Sequence, residues 1–424
     1  MRRRDFLKRA SFSVISSGVS LALLNTITSC GSSSGGESSN STSTNVEFNV
    51  PQNYSAISLP DKIEPDTLPY PSKGLDPDVA GDVAYLATKI GLDAGHDAGC
   101  MYGTFASIIF GLRDAFKDDP DNLKYYAAIP TYMAIYGKAG VVGWGSVCGA
   151  CNGCALGINL VAKLADKGGL INNAVLFYTE NPMPGNKLTS GMDFYTPSQF
   201  ALTGKAASGE EERANKVVSW LANAPSVVKD DVEKILENGS TGIISDKSLK
   251  VPGDKELGAD AIKDIMLHFS DYLNFPVPHT CICHASVNRF LEANNYEVTY
   301  GGKTVTLYPA SILRAERCSR LVGTMAKFAV MLLNTKYAPD APAEWKIADM
   351  SAFIPDNVNG VTKEVSECLS CHNPKGGAFD STLGFPRTLK FKGNSCTICH
   401  GLNSSDQPRL YPQAHNFWDL HFKG

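Results

Sequence analysis

The chain ends with two copies of a short cysteine–histidine motif, and this feature constrains its fold more than any other. The motifs are Cys368-Leu-Ser-Cys371-His372 and Cys396-Thr-Ile-Cys399-His400. Each has the CxxCH spacing of a covalent c-type haem site, in which two thiols bond to the porphyrin and the histidine binds the iron. The sequence therefore predicts two covalent haems, with the four motif cysteines as attachment sites and the two motif histidines as proximal iron ligands.

A zinc ribbon is the main alternative for the same four cysteines. Two CxxC pairs separated by about 24 residues resemble such a ribbon, although this spacing is long for one. A ribbon does not require a histidine after each pair, whereas both pairs here have one. The motif itself, together with signs of export at the other end of the chain, favours haem over zinc.

The first 29 residues have the features of a bacterial export signal. Residues 3–8, Arg-Arg-Asp-Phe-Leu-Lys, fit the twin-arginine pattern, and a moderately apolar stretch at 11–27 follows them. That stretch is too short and too rich in Ser and Gly for a stable membrane span. It ends in Ile-Thr-Ser-Cys30, which resembles a lipobox, so we expect cleavage before Cys30 and a lipid on that cysteine. An ordinary signal followed by a chance cysteine is the alternative.

Composition places the rest of the chain among ordinary globular proteins. Hydrophobic residues make up 43% and charged residues 19%, and the net charge of -4 gives no reason to expect nucleic-acid binding. Residues 31–45 are nearly all Ser, Gly, Thr and Asn, so residues 30–50 are expected to form a flexible tether. Beyond the tether, the length suffices for one large or two modest domains, and no apolar run is long enough to span a membrane.

Apolar residues recur at helical intervals over most of this body, which predicts a mainly α fold. Helices are expected at about 83–92, 100–116, 146–164, 210–222, 226–237, 259–273, 284–293 and 311–333. One small β-hairpin is expected where the alternating segments 296–300 and 303–308 flank Gly301-Gly302. The segment after Pro342 is rich in turn residues and is expected to be a loop-rich tail around the two haems.

Seven cysteines lie outside the haem motifs and the lipobox. They are Cys100, Cys148, Cys151, Cys154, Cys281, Cys283 and Cys318. An odd number cannot pair completely within one chain, so disulfides alone do not account for them. Single free cysteines are often buried as small apolar residues, but seven of them in an exported redox chain favour an iron–sulfur cluster.

The order of several short motifs resembles the split-Soret cytochrome c family, within a broader group of helical proteins marked by four dispersed cysteines. The motifs are Gly99-Cys100-Met101-Tyr102-Gly103, Trp144-Gly145-Ser146-Val147-Cys148-Gly149-Ala150, Cys283-His284-Ala285-Ser286-Val287 and Glu316-Arg317-Cys318-Ser319-Arg320-Leu321, followed by the haem tail. The resemblance covers about 81–177, 275–333 and the tail. It implies a mostly helical homodimer with two stacked haems per subunit and a [2Fe-2S] cluster held by Cys100, Cys148, Cys283 and Cys318.

The sequence departs from that family pattern in two respects. Cys151 and Cys154 stand where small apolar residues are expected, and Cys281 is an extra neighbour of Cys283. These three cysteines leave the cluster type and the full ligand set open. The charged stretch at about 204–263 also has the character of an insertion.

The expected organisation therefore has four parts. Residues 1–29 are the twin-arginine lipoprotein signal, 30–50 the tether after lipidated Cys30, 51–335 a helical iron–sulfur domain that includes the insertion, and 336–424 a dihaem segment. Distal haem ligands are the least specified part. Among the eight histidines, the candidates are His96 and His284 beside cluster cysteines, and His415 and His421 on the aromatic tail; the resemblance also allows a ligand from the partner subunit.

Three functions are compatible with this pattern. The favoured one is a periplasmic, lipid-anchored electron-transfer protein that relays electrons between redox protein partners and has no substrate chemistry. A small-molecule reductase with one open haem position is the alternative, and a redox sensor that uses the cluster or the Cys151/Cys154 pair is a third. Two histidines on each iron would favour the carrier, and a missing distal ligand would favour the reductase. No hydrolase, P-loop or dinucleotide motif supports another enzyme.

Overall fold

The computed structural model describes residues 66, 68–90, 99–225, 228–244, 249–251, 255–307, 312–354, 357–358 and 361–362. The α-helices are α1 (Pro77–Lys89), α2 (Gly99–Ala115), α3 (Pro120–Ala127), α4 (Gly149–Val161), α5 (Leu164–Glu180), α6 (Gln199–Thr203), α7 (Glu211–Leu221), α8 (Lys229–Asn238), α9 (Ala259–Leu267), α10 (Phe269–Tyr272), α11 (Cys283–Ala293) and α12 (Ile312–Tyr337). The strands are β1 (Leu249–Val251), β2 (Lys255–Leu257), β3 (Glu297–Tyr300), β4 (Lys303–Thr306), β5 (Asn357–Val358) and β6 (Val361–Thr362). The predicted mainly α class is confirmed.

Helix α1 begins six residues before the point that apolar periodicity predicts, at residue 77 rather than 83. The Asp76 carboxylate accepts hydrogen bonds from the backbone N–H groups of Asp78 and Val79 at 3.1 and 3.2 Å. Pro77 occupies the first helical position, where its missing N–H costs nothing. Apart from Asp78, every residue of α1 is buried, so this helix lies inside the core.

The main core forms where the long helix α12 packs along α1, α2 and α4. Aromatic rings from α5 and from the segments around residues 194 and 353 complete the main core. Phe177 of α5 stacks on Phe328 of α12 with ring centroids 3.8 Å apart, and Phe194 and Phe353 pack around this pair. A second, smaller core lies between α9, α10, α11 and the hairpin β3–β4. Helix α11 therefore contacts both cores, the main one at Cys283 and the small one at Phe290 and Leu291.

The charged segment predicted as an insertion packs against this core. In α7, Trp220 is buried and its ring fills the space beside Gly111 of α2. Arg213, also on α7, forms an ion pair with the buried Asp82 of α1, with Nε 2.7 Å from Oδ2. The helix expected at 210–222 is confirmed as α7, and its apolar face contributes to the main core.

The predicted hairpin is confirmed as the antiparallel pair β3–β4, in which Val298 lies opposite Val305. Two shorter antiparallel pairs, β1–β2 and β5–β6, were not predicted. Each has strands of three residues or fewer, too short for alternation to identify. Within the ranges given above, none of the helices combines the length and apolarity that crossing a bilayer requires.

Candidate metal centre

The four cysteines of the predicted cluster lie near the ends of four helices. Cys100 is the second residue of α2, Cys148 is the N-cap of α4, Cys283 is the first residue of α11 and Cys318 lies in the second turn of α12. Three of these positions are helix N-termini. Free backbone N–H groups and the helix dipole stabilise negative charge there, which favours the thiolate form of cysteine.

A short backbone pairing joins the segments that carry Cys148 and Cys283. Val147 and Ile282 form an isolated antiparallel bridge. On either side of it, the Cys148 N–H donates to the Cys281 carbonyl at 2.7 Å, and the Cys283 N–H donates to the Ser146 carbonyl at 2.6 Å. Residues more than 130 positions apart in the chain are thereby held side by side at the starts of α4 and α11.

Glycine at position 149 allows Cys100 to approach the start of α4. A Cβ atom at this position would overlap the Cys100 sulfur and would lie 2.7 Å from the Gly137 carbonyl oxygen. Rotation of the Cys100 side chain would not remove the overlap, since the Gly137 oxygen and the nearby Met101 nitrogen belong to the backbone. The Gly149 of the sequence motif is therefore required by close packing between α2 and α4.

We predict that Gly149→Ala lowers the free energy of unfolding by about 1–3 kcal/mol, because an added methyl group overpacks this contact. The matched control is Gly169→Ala in α5, where an added Cβ meets nothing within 4 Å. That change should be neutral or stabilise by up to about 1 kcal/mol, since alanine favours helix over glycine. Urea titration of both variants measures the difference, and equal effects would contradict the proposed contact.

Cys148 is at the centre of the contacts between thiols. Cys151 and Cys283 donate S–H hydrogen bonds to Cys148 Sγ, and these bonds hold the pKa of the Cys148 thiol well below its usual range. The nearby Tyr178 side chain also lowers the pKa of Cys148. The hydrogen bond to Cys148, together with burial, raises the pKa of Cys283. One thiolate thus lies among protonated thiols.

Cys100 and Cys318 complete this group of thiols. Both interact electrostatically with Cys283, and Cys100 also interacts with Cys148. Burial and the negative charge of these neighbours raise the pKa of Cys100 to about 12. Metal binding removes such protons, because cysteine ligates as the thiolate and the gain in metal–sulfur bonding replaces the lost S–H groups.

A buried arginine lies beside the thiols. The Arg317 side chain is 1% exposed, and its Nη2 donates to Ser286 Oγ at 2.9 Å. Tyr178 Oη lies 2.6 Å from the same Ser286 Oγ. Burial would lower the pKa of Arg317, but Tyr178, Cys318 and Cys148 outweigh it and raise the pKa. Arg317 Nε has no hydrogen-bond partner among the described residues, so a buried positive donor is left facing a cysteine-rich site.

Glu316, the residue before Arg317, anchors α12 to α1. The Glu316 carboxylate forms a buried ion pair with Lys89 of α1 and accepts hydrogen bonds from Arg320 Nε at 2.7 Å and Tyr85 Oη at 2.8 Å. Burial opposes the charge of Glu316, but Lys89 and Arg320 hold its pKa below the usual value. The three consecutive residues Glu316, Arg317 and Cys318 therefore have three tasks, namely helix anchoring, charge compensation and thiol supply.

No group of three or more His, Cys, Asp or Glu side chains in the described part of the chain is arranged to hold a metal ion as it stands. The thiolates of an iron–sulfur cluster bind different iron atoms, so they do not have to surround one point. Four neighbouring thiols from four segments are able to bind the different iron atoms of one cluster. The unpartnered Arg317 Nε lies beside them. The donor set therefore fits an iron–sulfur cluster.

Of the predicted haem ligands, only His284 lies among the described residues. The two CxxCH motifs, Cys30, His96, His415 and His421 lie outside the described residues. His284 is exposed, follows Cys283 directly and lies 3.2 Å from Asn288, measured from Nε2 to Nδ2. Its role as a distal haem ligand stays a prediction.

Comparison with known proteins gives one distant similarity. No family model and no curated protein matches the chain. Among solved structures, it is similar to the split-Soret cytochrome c from Desulfovibrio desulfuricans ATCC 27774, described as having a novel iron centre, with a TM-score of 0.43 and 18% identity over 79% of this chain and 91% of that one. A likeness at this level is distant and establishes neither the family nor the cofactors of the present chain.

Sequence reasoning missed the polar residues that surround the thiols. Tyr178 lies in α5, which was not predicted as a helix, and Ser286 carries no signal beyond its place in a short motif. Arg317 was noticed only as part of the Glu-Arg-Cys motif. Its separation from Glu316 onto another face of α12 follows from helical geometry, because successive residues project about a quarter-turn apart.

Proposed function

We propose that this chain is an exported electron-transfer protein that carries two covalent c-type haems and an iron–sulfur cluster, and that a lipid on Cys30 anchors it in the periplasm. The observation that carries the proposal is the grouping of Cys100, Cys148, Cys283 and Cys318 beside Arg317. The paired CxxCH motifs provide the haem sites. A homodimer, which the sequence resemblance implies, and protein redox partners, which an electron carrier requires, complete the proposal.

One-electron transfer is the chemistry that haems and iron–sulfur clusters supply when they are bound. The residues of the chain have supporting tasks. The four grouped cysteines act as thiolate ligands for the cluster, and the helix N-termini at three of them stabilise negative charge. Buried Arg317 balances part of the charge that four thiolates bring into the core. A redox group that is held and charge-balanced by buried residues suits a carrier.

We expect about two haems per chain in protein matured by the covalent haem-attachment machinery, one for each CxxCH motif. A pyridine haemochrome assay measures this number, and haem staining should persist after denaturing electrophoresis because the haems are covalent. Cys371→Ala should lower the number to about one. Cys154→Ala, which changes a buried cysteine outside the motifs, is the control and should leave it unchanged. Zinc without haem in the matured protein would contradict this assignment.

The twin-arginine signal and the haem motifs together predict the order in which the protein matures. Twin-arginine export carries folded proteins, whereas covalent haem attachment happens outside and needs accessible CxxCH thiols. The proposed cluster ligands all precede residue 333 and the haem motifs all follow residue 366, with Pro339, Pro342 and Pro355 between them. Residues 338–354 belong to the folded domain, because Ile347, Phe353 and Ile354 lie in the main core, so a linker to the haem motifs would follow Ile354. The iron–sulfur domain can therefore fold before export and the haem tail after it.

Replacing Arg3 and Arg4 with Lys should block both export and haem attachment, because the precursor would stay in the cytoplasm with its cluster in place. Cell fractionation, haem staining and iron analysis of the retained precursor measure the outcome. The comparison is the same chain rerouted through the pathway for unfolded proteins. Full haem loading together with an intact cluster after such rerouting would count against this order of maturation.

A further inference from the structure

Two more thiols lie against the four already assigned. Cys151 follows Cys148 by three residues on α4, so both side chains lie on the same face of that helix. The Cys151 thiol donates a hydrogen bond to Cys148 and interacts electrostatically with Cys281. Both Cys148 and Cys151 are buried. Cys151 therefore extends the group of thiols beyond Cys148, on the side towards Cys281.

The backbone pairing between residues 146–148 and 281–283 places Cys281 beside Cys148. In the antiparallel register that sets Val147 opposite Ile282, Cys148 lies opposite Cys281, and its N–H donates to the Cys281 carbonyl at 2.7 Å. Side chains directly opposite each other in such a pair have Cβ atoms about 4.5–5.5 Å apart. Alternate residues of an extended segment point to one side, which puts Cys281 on the same side as Cys283.

Interactions connect these six thiols in one continuous set that passes through Cys148. Cys283 interacts with Cys148, Cys100 and Cys318, whereas Cys151 interacts with Cys148 and Cys281. Cys154 is different. It lies one turn further along α4, burial raises the pKa of its thiol to about 12, and its electrostatic interaction with Cys151 is smaller than that of Cys281.

We propose that Cys151 and Cys281 are metal ligands as well, so that the site offers six thiolates and binds a larger iron–sulfur assembly than four thiolates hold. Four thiolates complete either a [2Fe-2S] or a [4Fe-4S] cluster. Each added ligand forms one iron–sulfur bond and releases its thiol proton to solvent. This inference rests on the proposed iron–sulfur cluster and extends its ligand set.

The test compares non-haem iron and acid-labile sulfide per chain in the full-length mature protein and in three variants. Cys151→Ser and Cys281→Ser should each lower both quantities. The double variant should hold only what four thiolates hold, which is about two or four non-haem iron atoms. Cys154→Ser, on the same helix and equally buried, should hold as much iron and sulfide as the wild type. Haem content and circular dichroism identify variants that fail to fold.

Native mass spectrometry of the wild type tests the same proposal without any substitution. The mass of the intact chain gives the numbers of bound iron and sulfide ions and of thiol protons lost, and six lost protons are expected. Equal iron and sulfide in the wild type and the double variant, or a disulfide between Cys151 and Cys281 in freshly purified protein, would overturn the six-thiolate site. A wild type without acid-labile sulfide would overturn the cluster itself, and this outcome is recognisable because no variant is needed to see it.

Discussion

Cys148→Ser is expected to abolish binding of the iron–sulfur cluster while both haems remain attached. Cys148 interacts with Cys100, Cys151 and Cys283, and it is the N-cap residue of α4. Serine is close to cysteine in size and is a favourable N-cap residue, but it is a poor ligand for iron, since soft thiolates select iron–sulfur clusters. Acid-labile sulfide should fall to background, and the pyridine haemochrome value should not change.

Cys154→Ser is the matched control for that experiment. It removes a buried thiol from the same helix, two turns along, which interacts with Cys151 rather than with Cys148 itself. Cluster loss in both variants would mean that α4 as a whole is disturbed rather than that one ligand is missing. A cluster that survives Cys148→Ser but not the loss of Cys151 or Cys154 would show that the four assigned ligands are wrong.

Glu316→Gln is expected to have the largest effect on stability, lowering the free energy of unfolding by about 3–5 kcal/mol because it removes a buried negative charge that two buried cations share. Lys89 and Glu316 are both buried, and Arg320 shares the same carboxylate. The midpoint of urea unfolding measures the change. The control is Glu212→Gln on α7, whose ion pair with Lys216 lies at the surface and should contribute little.

The effect of Glu316 also depends on pH in a defined direction. The pKa of Glu316 is lower in the folded protein than its usual value, so its stabilisation is complete above the unfolded-state pKa of about 4.3. It is lost as the pH falls through the lower folded-state pKa. The difference in stability between wild type and Glu316→Gln should therefore be largest near neutral pH and shrink below about pH 4. A difference that grows on acidification would contradict this account of the network.

Much of the fold could be predicted because strong amphipathic patterns mark most helices. The helix expected at 100–116 corresponds to α2, the one at 311–333 to α12, and the Gly301-Gly302 hairpin to β3–β4. Helix α5 was missed for a physical reason. Its first half contains Gly168, Gly169, Asn172 and Asn173, which disfavour a helix, while Phe177 and Tyr178 near its end pack into the core. Tertiary burial stabilises a segment that local preference does not favour.

The site could be predicted only as a set of residue types. Four short cysteine motifs in a specific order indicated which thiols to bring together, but not how. The Val147–Ile282 pairing, the overlap that Gly149 avoids and the position of Arg317 depend on contacts between segments far apart in the chain. No local pattern encodes such contacts. The extra cysteines at 151 and 281 became interpretable only when their neighbours were known.

The ratio of iron to haem, measured together with acid-labile sulfide in the purified full-length protein, tests the central claim most directly. A protein with two covalent haems and a thiolate-bound cluster should contain clearly more iron than haem, and sulfide in an amount comparable to the excess iron. Iron equal to haem with no acid-labile sulfide would mean that the grouped thiols hold no cluster, and the account of the metal centre would be wrong.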